Sequence, residues 1–100
     1  MILSPQDKAV LIAARRLANF ATVKQLAKYL NGSGVTMNIG QVYASLDLLE
    51  TFELVQYHEF VGAQCSAWCI TTSGSKMLHD SGLVYVSDVA ERVVRLPRAC

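Results

Sequence analysis

Charge is scarce in this sequence: Asp, Glu, Lys and Arg make up only 17% of its residues, against about 25% in an average globular domain. The formal net charge of +1 gives no overall basic footprint toward a polyanion, so any such role rests on where the charges fall. They fall unevenly. The nine basic residues are Lys8, Arg15, Arg16, Lys24, Lys28, Lys76, Arg92, Arg95 and Arg98, and none lies between Tyr29 and Ser75. That span carries Asp47, Glu50, Glu53 and Glu59 and is locally acidic.

Long hydrophobic runs are missing as well, and no stretch approaches the length that spans a membrane. Met1 to Lys8 holds Pro, Gln and Asp where a secretory signal places basic residues and then an apolar core. The reading is therefore a soluble, cytoplasmic chain with no membrane partner. Cysteine is sparse, with Cys65, Cys69 and Cys100 forming an odd set. Without an export signal they read as reduced thiols, and a disulfide framework is not expected.

What the sequence has in abundance is apolar surface, at 52% of its residues. One hundred residues suffice for one domain over 1–100 with one core, and the apolar excess points to self-association. Ser4, Pro5 and Asp7 form a helix start: a cap, a first-turn proline and an acid at the positive helix end. Val10, Leu11, Ala14, Leu17 and Ala18 follow at helical spacing, predicting a first helix to about Phe20.

Thr22 caps a second helix with Val23, Leu26, Ala27 and Leu30 inward and Lys24, Gln25 and Lys28 outward. Asn31, Gly32, Ser33 and Gly34 end it. Asn38 caps a third, whose inward positions are Val42, Leu46 and Leu49 with Tyr43 and Phe52. Gln41, Ala44, Ser45, Asp47 and Leu48 remain on its other sides.

Leu54 to Phe60 and Ser66 to Thr71 are rich in β-branched and aromatic residues, and Val61 to Cys65 joins them as a hairpin loop. Thr72 or Ser73 starts a fourth helix, with Met77 and Leu78 inward, that ends near Ser81 and Gly82. A last segment, 83–96, sets Leu83, Val86, Val89 or Ala90, Val93 and Leu96 on one stripe. Nothing remains in the chain to cover that stripe, so it is expected to form a dimerisation helix.

The stretch GQVYASLDLLETFELV, followed by a hairpin and then ITTSGSKML, resembles the PadR-like branch of winged-helix transcriptional regulators. Gly40, Tyr43, Leu46, Leu49, Leu54, Val55, Ile70, Thr71 and Gly74 stand at the marked places of that pattern, and the resemblance covers Val23 to about Leu78. It implies a mainly α fold with a small β-hairpin, a winged helix-turn-helix over 1–80 with an added C-terminal helix. It further implies a homodimer that places the third helix of each subunit in the major groove of double-stranded DNA.

By position, Asn38, Gln41 and Ser45 are the base-facing candidates, since short polar side chains near a helix start can read base edges. The family pattern usually supplies phosphate contacts from Lys and Arg near the recognition helix and wing, and this sequence has none there. Lys24 and Lys28 on the second helix and Arg15 and Arg16 on the first are the available substitutes. The alternative is a winged-helix protein-interaction module whose acidic face docks a protein partner and does not bind DNA.

Other groupings carry less. His58, Cys65 and Cys69 do not have a zinc spacing and lack a fourth ligand, so no metal or cofactor is expected. His79, Asp80 and Ser75 have no oxyanion site or nucleophile turn beside them, so the chain is not read as an enzyme. Trp68 and Tyr57 are placed in packing beneath the hairpin.

Overall fold

The computed structural model describes residues 3–17, 20–60 and 65–83, without the side chains of Phe60 and Cys65. The order of elements is α1 (Pro5–Leu17), α2 (Val23–Gly32), α3 (Ile39–Thr51), β1 (Val55–Phe60), β2 (Cys65–Ile70) and α4 (Thr72–Ser81). Among the described residues this is a mainly helical α+β fold, four helices and one two-stranded antiparallel sheet. No helix in them is long and apolar enough to cross a membrane.

The first helix begins as its composition dictates, with Ser4 Oγ accepting the Asp7 N–H at 3.1 Å. Its burial is wider than one stripe. Ala9, Val10, Leu11, Ile12, Ala13 and Ala14 are all buried, so α1 is apolar all round over its middle turns and runs through the centre of the core. The alanines let α2, α3, β2 and α4 approach it closely. The helix is described as far as Leu17, and Phe20, its expected end, lies outside it and is exposed.

The second and third helices start with the same device. Thr22 Oγ1 accepts the Gln25 N–H while Gln25 Oε1 accepts the Thr22 N–H. Asn38 and Gln41 exchange the equivalent pair of bonds at 2.8 and 2.9 Å. Each box satisfies two amide groups that a helix start otherwise leaves open. Between the helices, the Asn31 side-chain amide donates to the Ala27 carbonyl at 2.8 Å and the Met37 carbonyl at 3.4 Å. Gly34 takes φ 94°, a left-handed turn that glycine adopts without strain. Buried Val35 and Met37 then seat this connection on the core.

The sheet is the hairpin of β1 and β2 in register Val55↔Ile70, Tyr57↔Trp68 and His58↔Ala67. Its strands start one residue away from the expected bounds, at Val55 and Cys65. The hairpin is tied back to the helices at two places. Ala21 and Trp68 exchange both backbone bonds, at 2.9 and 2.8 Å, which fixes the α1–α2 connection along β2.

The second tie joins the end of α3 to the start of α4. Glu53 adopts φ 60°, the Thr71 hydroxyl donates to its carbonyl at 2.7 Å, and the Thr71 N–H donates to the Leu54 carbonyl at 3.0 Å. Thr71 also caps α4 by accepting the Gly74 N–H at 3.1 Å, and the helix starts at Thr72, the first of the two expected positions. Gly74 is buried with its α-carbon against the Leu54 carbonyl, where an added Cβ would collide with that oxygen and lie 2.8 Å from Ile70 Cγ1. Gly82 closes α4 at φ 70°.

Candidate nucleic-acid interface

Three residues hold α3 in the molecule: Val42, Leu46 and Leu49 are fully buried. Its opposite side, Gly40, Ala44, Asp47 and Thr51, is exposed along the whole helix. Helical spacing divides the exposed surface into two flanks. Gln41, Ala44 and Leu48 form one row; Tyr43, Asp47 and Glu50 form the other, and its Tyr43 ring meets Trp68 of β2 edge-on at 6.1 Å.

The residues expected to face a base divide differently. Asn38 and Gln41 are exposed at the start of α3, where their carbonyl oxygens are committed to the cap. Their NH2 groups still project as donors, since no acceptor for them occurs among the described residues. Ser45 corrects the expectation: it is 7% exposed and belongs to the buried side. Its position is three residues after Val42 and four before Leu49, which draws it into the inward face. Conversely Tyr43, at 48% exposed, and Phe52 are not inward positions.

Lys24 and Lys28 are exposed one turn apart on α2, Arg16 is exposed in the last turn of α1, and Arg15 is half-buried. Lys28 also lines an apolar groove of about 520 Å³ with Leu17, Gln25, Tyr29, Gly32 and Ser33. Among the described residues only Lys8 and Lys76 add further basic charge, and none comes from α3 or the hairpin strands.

Of the stripe assigned to dimerisation, only Leu83 is described, and it packs half-buried against the chain's own core. Val86, Val89, Val93 and Leu96 lie outside the described residues, as does the hairpin loop 61–64.

The remaining groupings are separated by the fold. Residues 65 and 69 stand four steps apart on β2, about 13 Å along a strand, too far to share one ion. His58 is engaged edge-on by Phe20 at 4.6 Å. His79 Nδ1 lies 3.7 Å from Asp80 with both side chains exposed, and no contact joins the pair to Ser75 among the described hydrogen bonds.

The expected packing of Trp68 with Tyr57 extends, through Tyr43, into an aromatic row linking α3 to the hairpin. Trp68 is only 2% exposed, bordered by Tyr43 and by Tyr57, whose ring lies 4.9 Å away. Its indole N–H meets no acceptor among the described residues. Tyr57 is pinned by a 2.7 Å hydrogen bond to Ser66 Oγ. Beside it, Glu50, Glu53, Val55, Gln56, Tyr57 and Thr71 line an open cleft of about 310 Å³. The i, i+4, i+7 spacing of Tyr43, Asp47 and Glu50 could have signalled this flank; the closure onto β1 needed the tertiary fold. No family model matches the chain, and no curated protein matches it either.

Proposed function

We propose that this chain is a dimeric winged-helix DNA-binding transcriptional regulator in which α3 enters the major groove and the β1–β2 hairpin acts as the wing. The observation that carries the reading is the seating of α3. Val42, Leu46 and Leu49 anchor it rigidly while Gln41, Ala44 and Leu48 stay exposed on its outer side. An α-helix is about 10–12 Å across with its side chains, and the major groove is about 12 Å wide. Small residues at Gly40 and Ala44 favour close approach to base edges.

Asn38 and Gln41 supply the polar groups for readout, with their amide NH2 donors at the helix start. The positive end of the α3 dipole favours a phosphate there. The Ala21–Trp68 pairing supports the wing assignment, because it holds the hairpin at a fixed position relative to the helices. Lys24 and Lys28, with Arg15 and Arg16, are the proposed phosphate contacts. A homodimer with its two α3 helices about 34 Å apart would read successive major grooves, and 83–96 is its proposed interface.

The acidic flank weakens this binding, and the Lys and Arg contacts to phosphate make it dependent on salt. Anisotropy titration of a labelled duplex pool between 20 and 200 mM salt, roughly the range over which counterion release is read, tests the proposal. Wild-type protein is expected to bind at low salt, and Lys24→Ala with Lys28→Ala, which removes two contacts from each subunit, to flatten the slope of the dimer by about four. Absence of duplex binding at the lowest salt would sink it.

A further inference from the structure

The cleft at the end of α3 has a chemistry opposite to that of a phosphate site. The end of α3 and the turn after it contribute Glu50 and Glu53 to its lining, and β1 contributes Val55, Gln56 and Tyr57. Among the described residues neither carboxylate has an ion-pair partner, and no Lys or Arg lines the cleft. At about 310 Å³ it is at the small end of ligand sites.

The walls are already in place without an occupant. The Thr71 hydroxyl holds the Glu53 carbonyl at 2.7 Å, and Tyr57 is held by Ser66 and by the Trp68 ring. A site fixed in this way loses little conformational freedom on binding. On the same flank of α3 as Glu50, about two and three turns earlier, Tyr43 and Ile39 are exposed, so charged and apolar groups share one helix face.

We propose that this cleft docks an arginine-bearing, apolar-flanked segment of a protein partner. The arginine head sits between Glu50 and Glu53, its stem lies along Tyr57, and its apolar neighbour rests on Tyr43. Charge complementarity selects a cation. The two carboxylates beside an aromatic face select arginine over lysine, because a planar guanidinium can bond both oxygens of a carboxylate and stack on a ring. The adjoining apolar surface selects a peptide over a free amine. The inference does not rest on duplex binding and stands whether or not α3 reads DNA.

The test uses the full chain and a fluorescein-labelled peptide, acetyl-Leu-Arg-Leu-Arg-Leu-amide, followed by anisotropy at low salt. Three comparisons accompany it: the same peptide with citrulline for arginine, the variant Glu50→Gln with Glu53→Gln, and competition by spermidine. Both substituted positions are exposed, and a thermal melt confirms that the variant is folded. Binding of the arginine peptide is expected, with a loss of roughly tenfold for the citrulline peptide and for the double variant. No binding, equal binding of the citrulline peptide, or undiminished binding by the double variant overturns the proposal. Displacement by spermidine at the peptide's own concentration overturns the peptide assignment, since it identifies the occupant as a small polycation. Duplex titration of the same double variant separates this result from the DNA reading: loss of peptide binding with duplex binding retained assigns the cleft to the peptide alone.

Discussion

Gly74→Ala is expected to destabilise the protein even though it places alanine, the best helix former, inside a helix. In an unobstructed helix interior the change gains about 1 kcal/mol. At Gly74 the new Cβ would run into the Leu54 carbonyl oxygen and lie 2.8 Å from Ile70 Cγ1. The carbonyl cannot retreat freely, because it accepts the Thr71 N–H at 3.0 Å in the tie that joins α3, β1 and α4. Overpacking costs about 1–3 kcal/mol, and loosening that hydrogen bond costs about 1 kcal/mol. Set against the propensity gain, the net loss is about 1–3 kcal/mol. For a chain of this size that lowers Tm by about 5–20 °C. Gly32→Ala is the internal control, since Gly32 ends α2 with nothing within 4 Å of an added Cβ; it is expected to gain about 0.4–1 kcal/mol. Calorimetric melts of the two variants decide the matter. A neutral or stabilised Gly74→Ala protein would refute the close approach of α4 to Leu54.

Four further outcomes follow from the interface. Asn38→Ala removes the acceptor of the Gln41 N–H and should cost about 0.5–2 kcal/mol, read by chemical denaturation; an unchanged midpoint would remove the cap from the stability of α3. Gln41→Glu keeps the acceptor for the Asn38 N–H but replaces the NH2 donor with a charge, so the melt should stay within about 0.5 kcal/mol while duplex affinity falls; Ser45→Ala, at a buried position, should leave duplex affinity within about twofold, and a larger loss would mean that Ser45 reaches the DNA after all. Asp47→Asn removes an exposed carboxylate from α3 and should strengthen duplex binding by roughly two- to fivefold at low salt, with the gain fading as salt rises; equal affinity at all salt concentrations would show that α3 is not near phosphate.

The helices and the hairpin were legible because each is written in local terms. Thr22 with Gln25 and Asn38 with Gln41 are capping boxes in the chain itself, and both form. The Asn31 to Gly34 cluster stops α2, and the β-branched and aromatic runs become β1 and β2. The burial of α1 exceeds the stripe that periodicity marks, because the whole middle of the helix is apolar. Ser45 and Tyr43 were exchanged between faces for a related reason. Residue type suggested that serine faces out and tyrosine in, whereas α3 is oriented by Val42, Leu46 and Leu49, and the 100° step carries Ser45 inward with them. The ties of Thr71 to Glu53 and Leu54 join residues 17 or 18 positions apart, and no periodicity within either segment encodes such a meeting.

The two exposed flanks of α3 impose opposite demands on a partner. Gln41, Ala44 and Leu48 offer an amide donor and small or apolar groups with no charge, a surface on which a base edge can lie. Tyr43, Asp47 and Glu50 offer a ring and two carboxylates, which repel a phosphate and attract a cation. A helix of 13 residues, about 20 Å long, presents both, so rotating a docked partner around it by roughly a third of a turn changes which chemistry is met. If α3 enters a major groove, Asp47 and Glu50 must therefore be turned toward the hairpin side of the groove wall or be neutralised by a cation. An arginine seated between Glu50 and Glu53 would remove one of those charges from the path of the DNA backbone, so that the peptide-loaded protein should bind a duplex more tightly than the free protein. Tighter duplex binding in the presence of the arginine peptide, and not of the citrulline peptide, would couple the two sites; weaker binding would mean that they compete for the same face of α3.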